Sequence, residues 1–157
     1  MPAEAPAAVL VDANLLLWAH HRGFPEHDAA RAWWARTVSE VPVVGIPWPT
    51  ILAFLRVSTH PRAFERPVAI REAWGVVEGW LARPNVRCPV PTDRHPAILH
   101  DLLVSGRASG AHTTDAHLAA LAVEWGLELL SADRDFARYP GLRWRDPLAA
   151  GVDPVTG

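Results

Sequence analysis

The sequence predicts an α/β protein, a three-layer α/β/α sandwich around a mainly parallel sheet of four to five strands. Three observations predict it. Short apolar runs alternate with helical segments of ten or more residues, the pattern of crossover units. Two of those runs, in "AVLVD" and "LELLSAD", end on the carboxylates Asp12 and Asp133, and ligands of such sheets bind outside the strand ends. The chain has 157 residues, 50% hydrophobic and 20% charged, enough for one domain with a real core.

Val9–Asp12 forms the end of a first strand, followed at once by a helix through "ANLLLWAHH". "EHDAARAWWARTVSE" is amphipathic, with Ala30, Trp33, Trp34 and Val38 on one side. "VPVVGIP" is a second strand closed by Pro47 and Pro49, and "TILAFLRVST" a helix after it. "RPVAIREAWGVVEGWLARP" is a helix opened by Pro67 in its first turn and stopped by Pro84. "NVRCPV" is a third strand, and "TDRHPAILHDLLVSGR" a helix starting at Thr92 or Asp93. The loop "ASGAH" leads to the helix "TTDAHLAALAVEWG", stopped by Gly126. "LELLS" is the fourth strand and "GLRWRDP" the source of a fifth. Residues 1–148 form a single domain, and 149–157, "AAGVDPVTG", a flexible C-terminal tail.

The net charge is −2, from 15 basic and 17 acidic residues, which excludes a strongly basic nucleic-acid coat but leaves room for a local patch. Every basic residue is arginine. No apolar run approaches the roughly 18 residues of a membrane span. "MPAEAPAAVL" has no basic residue and does not read as a secretory signal, so a cytoplasmic location is the expectation. The single cysteine, Cys88, cannot form an internal disulfide and reads as a buried strand residue. Trp33, Trp34, Trp74 and Trp80 recur at helical spacings and read mainly as core. His95/His100 and His112/His117 are each five apart, not the four that stacks two ligands on a helix face, so no zinc site is expected. His112, near Asp115, is a residue within reach of substrate.

Asp115 lies in the first turn of "TTDAHLAALA", with Thr113 or Thr114 as cap, where the helix dipole favours a negative charge. Alone it would simply support the helix start, as Asp12 alone would be a turn residue. Several acids on one rim are different, because like charges repel unless something neutralises them. A hard divalent cation does so, binding through one or two carboxylates while taking water and substrate phosphate as its other ligands.

"VDANLLLWA", "FLRV", "TDAHLAALA" and "SADRDF", in this order and spacing, resemble the PIN domain of the VapC toxins, the ribonuclease partners of VapBC toxin–antitoxin pairs. The resemblance runs from about Val9 to Pro147, and "HPRAFERP", "PTDRH" and "FARYPGLRW" are similar to a branch of these toxins in high-GC bacteria. It implies a PIN-like fold and an endoribonuclease of Mg²⁺, or Mn²⁺ in its place, leaving a 5′-phosphate and a 3′-hydroxyl. Asp12, Asp115 and Asp133 correspond to metal-holding acids and Asp135 to the additional catalytic acid beside them. Asn14 and Ser131 fall where the family carries polar residues that hydrogen-bond the acids. The family's second acid, a glutamate just before the "FLR" segment, is replaced by Ala53. That loss lowers metal affinity, and it leaves open the alternative of a weakened module that binds RNA or antitoxin without cutting.

Arg56, Arg62, Arg66 and Arg134 are the candidates for RNA phosphate contacts. The resemblance further implies an RNA substrate such as tRNA or rRNA, a VapB-type antitoxin that covers the acids, a homodimer, and no membrane. Receiver domains and aspartate-nucleophile phosphatases also carry acids on a parallel sheet, but both need a lysine beside them, and this chain has none.

Overall fold

The computed structural model describes residues 7–149; the first six residues read for a secretory signal, and the expected tail beyond Ala149, lie outside them. The chain runs β1 (Ala8–Val11), α1 (Ala13–His20), α2 (His27–Glu40), β2 (Val43–Gly45), α3 (Trp48–Ser58), α4 (Ile70–Leu81), β3 (Val86–Arg87), α5 (His95–Ser105), α6 (His112–Trp125) and β4 (Glu128–Leu130). A short 3-10 helix, Arg134–Arg138, and β5 (Trp144–Arg145) follow.

All five strands pair in parallel in the order β3-β2-β1-β4-β5. The chain therefore starts in the middle, grows outward on one side through β2 and β3, then returns to build β4 and β5 on the other. The reversal falls between β1 and β4, where Val9, Leu10 and Val11 lie beside Glu128, Leu129 and Leu130. A sheet that reverses in this way opens a crevice beyond the carboxyl ends of the two strands concerned.

Alternation along these strands divides the core in two. Val9, Val11 and Leu130 face a layer from α1–α4 that contains Leu16, Trp33, Trp34, Phe54 and Trp80. Leu10 and Leu129 face the other layer, with Leu118 and Leu121 of α6 and Phe136 and Tyr139 around the 3-10 helix. Adjacent strand residues point to opposite faces, so a run apolar at every position needs helices on both. All three residues Val9–Val11 are fully buried.

Several boundaries differ from the sequence expectation. Pro49 lies inside the first turn of α3 rather than closing β2, since a proline there loses no hydrogen bond. Pro67 lies outside α4, which starts only at Ile70 after an extended Ala69. α5 starts at His95, not at Thr92 or Asp93, and neither Thr113 nor Thr114 caps α6, whose start has no side-chain cap. Cys88 is half-buried and beyond β3, which stops two residues short of Pro89. Trp33, Trp34 and Trp80 are core, whereas Trp74 is 37% exposed and donates to Glu78. Gly126 ends α6 in the left-handed conformation at φ +66°, as its position predicts.

Thr92 has another task. The buried Glu124 carboxylate near the end of α6 accepts from His95 Nδ1, from the Thr92 N–H at 2.9 Å and from the Thr92 hydroxyl at 2.7 Å. His95 Nε2 then meets His117 Nδ1 at 3.0 Å, a contact between histidines far apart in sequence. This network clamps the start of α5 onto α6. Burial pushes the Glu124 carboxyl up, but the bonds from His95 and Thr92 outweigh it and hold the group below its ordinary 4.5. Burial lowers His20, His21 and His117 below their ordinary 6.5.

Each shift makes acid destabilising. The three histidines contribute stability that is whole above 6.5 and lost as pH falls from there through their lower folded values. Glu124 contributes stability that is whole above 4.5 and lost below it. In an Asp12→Asn/Asp115→Asn background, which removes the opposing titration of the two raised acids, urea unfolding across pH should show a decline below 6.5 that steepens below 4.5. Glu124→Gln should cost about 2 kcal/mol at pH 7, by removing one partner of a buried network, and should flatten the second step.

Candidate active site

Asp12 follows β1 directly and caps α1: its Oδ1 accepts from the Ala13 N–H at 2.8 Å, and its own N–H reaches Leu130 of β4 at 3.0 Å. Its Oδ2 accepts from the hydroxyl of Ser131 at 2.7 Å. Ser131 is fully buried just past β4, and its oxygen also accepts from the Asn14 amide at 3.1 Å and the Asp133 N–H at 3.0 Å. One donated and two accepted bonds use all that a hydroxyl has. Asn14 therefore bonds Ser131 and, more weakly, the Ala132 N–H at 3.4 Å, and reaches the acids only through Ser131.

Asp133 caps the 3-10 helix by accepting from the Asp135 N–H at 2.9 Å. Asp135 is more exposed, its side chain 53% so, and its Oδ2 lies 3.1 Å from His112 Nε2. Asp115, in the first turn of α6, is half-buried and makes none of the described side-chain hydrogen bonds. Its carboxyl is pushed up to about 6, by burial first and then by the charges of Asp133 and Asp12, with Asp135 adding and His112 opposing. Burial also raises Asp12, against the bonds from Ser131 and Ala13, and the Asp133 charge adds to it. Four acids from three segments thus share one electrostatic neighbourhood.

Arg56 on α3, Arg62 and Arg66 in the α3–α4 connection, and Arg134 between the two terminal acids are all exposed. Among the described residues none of them forms an ion pair. Ala53 is half-buried on α3, three residues after Thr50, whose hydroxyl donates to the Val11 carbonyl at 2.8 Å. Position 53 therefore shares the helix face tied to the strand end that carries Asp12. A cleft of about 340 Å³ lies elsewhere, around Arg22, Phe24, His27 and Arg31 beyond the far end of α1.

His112, expected from its place near Asp115 to be within reach of substrate, has two partners that its sequence position does not announce. Arg138 Nη1 donates to His112 Nδ1 at 2.9 Å, and the Tyr139 hydroxyl donates to the His112 carbonyl at 2.8 Å. The "FARY" of the resemblance contains both, yet nothing in the spacing points to their contact with His112.

Among the described residues no three His, Cys, Asp or Glu side chains close into a ready-made metal cage. The donors at the rim are carboxylate oxygens; burial raises Asp12 and Asp115 most, and the charge of Asp133 raises both further. That set fits a hard cation held by one or two carboxylates together with water. It does not fit a closed protein cage.

The family model described as PIN domain matches residues 9–142. The chain belongs to the PIN domain family. Ribonuclease VapC33 of Mycobacterium tuberculosis is 39% identical over 140 residues, spanning 89% of this chain and 98% of its own. Ribonuclease VapC43 of the same species is 38% identical over 138 residues, covering 88% and 94%. Among solved structures, the VapC20 toxin of M. tuberculosis, described as cleaving the sarcin-ricin loop, aligns with a TM-score of 0.62 at 19% identity, covering 83% of this chain and 93% of its own. VapBC2 of Rickettsia felis, bound to a promoter DNA fragment, aligns at 0.61 and 13% identity over 87% and 96%. These two show the shared fold.

A carboxyl raised to about 6 from its ordinary 3.8 favours the folded state most below 3.8 and progressively less as pH rises through 6. Asp115→Asn should therefore stabilise the metal-free PIN domain at pH 7.5. With allowance for solvent screening the gain is about 1 kcal/mol, or ~2–4 °C in Tm. Calorimetry in EDTA checks this; an unchanged or lower Tm would mean that neither burial nor the neighbouring acids disfavour the Asp115 charge.

Proposed function

We propose that the chain is a metal-dependent endoribonuclease that hydrolyses RNA phosphodiester bonds, acting as the toxin of a VapBC type II toxin–antitoxin pair. The observation that carries this reading is the four-acid rim at the reversal of the sheet, in a chain about as long as its VapC relatives. Asp12, Asp115 and Asp133 would hold Mg²⁺ or Mn²⁺. When bound, the ion supplies positive charge to a phosphoryl oxygen and lowers the pKa of a coordinated water.

The chain's own residues prepare that site. Ser131 fixes one Asp12 oxygen and the backbone of Asp133 with a single hydroxyl, so the two acids keep a constant separation. Asp115, which makes none of the described side-chain hydrogen bonds, would turn toward an ion whose positive charge would favour its ionised form. Asp135 orients the attacking water for in-line displacement, giving a 5′-phosphate and a 3′-hydroxyl. Exposed Arg56, Arg62, Arg66 and Arg134 hold the RNA, of tRNA or rRNA type, against the negative rim. A VapB-type antitoxin that covers the acids, a homodimer and a cytoplasmic location complete the reading; no helix among the described residues is long and apolar enough to cross a membrane.

Ala53 supports a second reading, a PIN domain that binds RNA or antitoxin without cutting, because the face tied to Asp12 offers no carboxylate there. A nuclease assay on antitoxin-free protein separates the two. Under the first reading, EDTA abolishes cleavage, Asp12→Ala lowers it more than ~100-fold, and Ser131→Ala lowers it by ~10–100-fold, the scale for groups that orient metal ligands. Cleavage by Asp12→Ala at the wild-type rate would sink the assignment. Replacing Arg62 and Arg66 together should raise KM for RNA several-fold with kcat retained; an unchanged KM removes them from the RNA path.

A further inference from the structure

His112 stands where α6 and the 3-10 helix meet, three residues before Asp115 and in contact with Asp135. A guanidinium only donates, so Arg138 Nη1, 2.9 Å from His112 Nδ1, requires a lone pair on that nitrogen. The ring proton of the neutral imidazole then sits on Nε2, which faces Asp135 Oδ2 at 3.1 Å. Because the guanidinium has donors only, Arg138 imposes this tautomer on the neutral ring. The guanidinium is itself embedded: its Nε is buried without a partner, and Nη1 also points at the Gly106 carbonyl at 3.5 Å.

The backbone beneath the ring is fixed as well. Tyr139 donates to the His112 carbonyl at 2.8 Å, and its ring lies so close to Gly106 that a Cβ there would stand 2.6 Å away. Asp135 is thus gripped twice, its N–H by Asp133 and its carboxylate by His112. An acid with a 53% exposed side chain would otherwise sample several rotamers.

We propose that His112, locked as the Nε2–H tautomer by Arg138, is the positioning residue that holds Asp135 toward the reacting phosphodiester. This rests on the nuclease reading and adds a hydrogen-bond line to it, Arg138 to His112 to Asp135, which carries no metal ligand. The contact is exposed, so it adds little to stability, and its loss reads in turnover rather than in folding.

The test uses the full chain free of antitoxin. Long-range ¹H–¹⁵N spectra of the imidazoles should show His112 protonated on Nε2 and bare on Nδ1, and Arg138→Leu should convert this to a mixture. In Mn²⁺-dependent RNA cleavage, His112→Ala should lower kcat ~10–100-fold with KM unchanged and Tm within a few degrees. His112→Gln, which returns an N–H at the position of Nε2, should recover most of it. In an Asp135→Ala background His112→Ala should cost nothing more, because the two act as one unit. An Nδ1–H tautomer in the wild type, an unchanged kcat in His112→Ala, or a full additional loss in the Asp135→Ala background each overturns the proposal. If the wild type shows no Asp12-dependent cleavage, the nuclease reading falls and takes this role with it. Wild-type cleavage with an indifferent His112→Ala sinks the proposal alone.

Discussion

Four carboxylates held at one end of a sheet repel one another, and the rest of the fold has to hold them against that repulsion. The Ser131 hydroxyl is the main device. It is fully buried, takes its position from β4, donates to Asp12 after β1 and receives the backbone of Asp133. Pairing of β1 with β4 sets the distance between those two acids before any ligand is present, because each follows its strand closely. The Trp144 indole donates to the Ser131 carbonyl at 3.0 Å, which extends the same restraint to β5. Asp115 is brought in by a helix, and its carboxyl is the one pushed up to about 6.

The stability that offsets this strain lies elsewhere in the molecule. The two apolar layers on either face of β1 are complete without any residue of the rim. The Glu124–His95–Thr92 network ties α5 to α6 near the end of α6, far along the helix from Asp115. Separation of this kind lets the rim be altered at little cost to the fold. The acid titrations divide in the same way: protonating Asp115 relieves repulsion, whereas protonating Glu124 breaks a clamp.

Strands ending on acids were legible because their cause is local. A short apolar run buried on both faces looks the same in sequence and in space, and a carboxylate one to three residues after it sits at the strand end. Helix starts were less legible. Proline is tolerated in a first turn and before one, so Pro49 and Pro67 gave opposite errors of boundary. Thr92 looks like a cap by its spacing but is recruited by Glu124 across the α5–α6 interface. His112 and Arg138 meet only because α6 returns beside the 3-10 helix, and no periodicity within either segment records that meeting.

The alanine at position 53 can be weighed in the same electrostatic terms. Thr50 anchors α3 to the carbonyl of Val11, so a carboxylate at 53 would join acids that already raise one another. A fifth acid strengthens cation binding and increases repulsion in its absence. A small apolar residue makes the opposite exchange, with a metal-free domain under less strain and a cation held by fewer protein oxygens. Under the nuclease reading, the ion would then lean more on phosphate oxygens from RNA, since Mg²⁺ completes its shell from water and substrate when protein ligands are few. Metal and substrate would bind with positive coupling, each raising the affinity for the other by the same factor. The Arg138–His112 pair suits that arrangement, because it steadies Asp135 by a hydrogen bond and takes no place among the oxygen ligands of the ion.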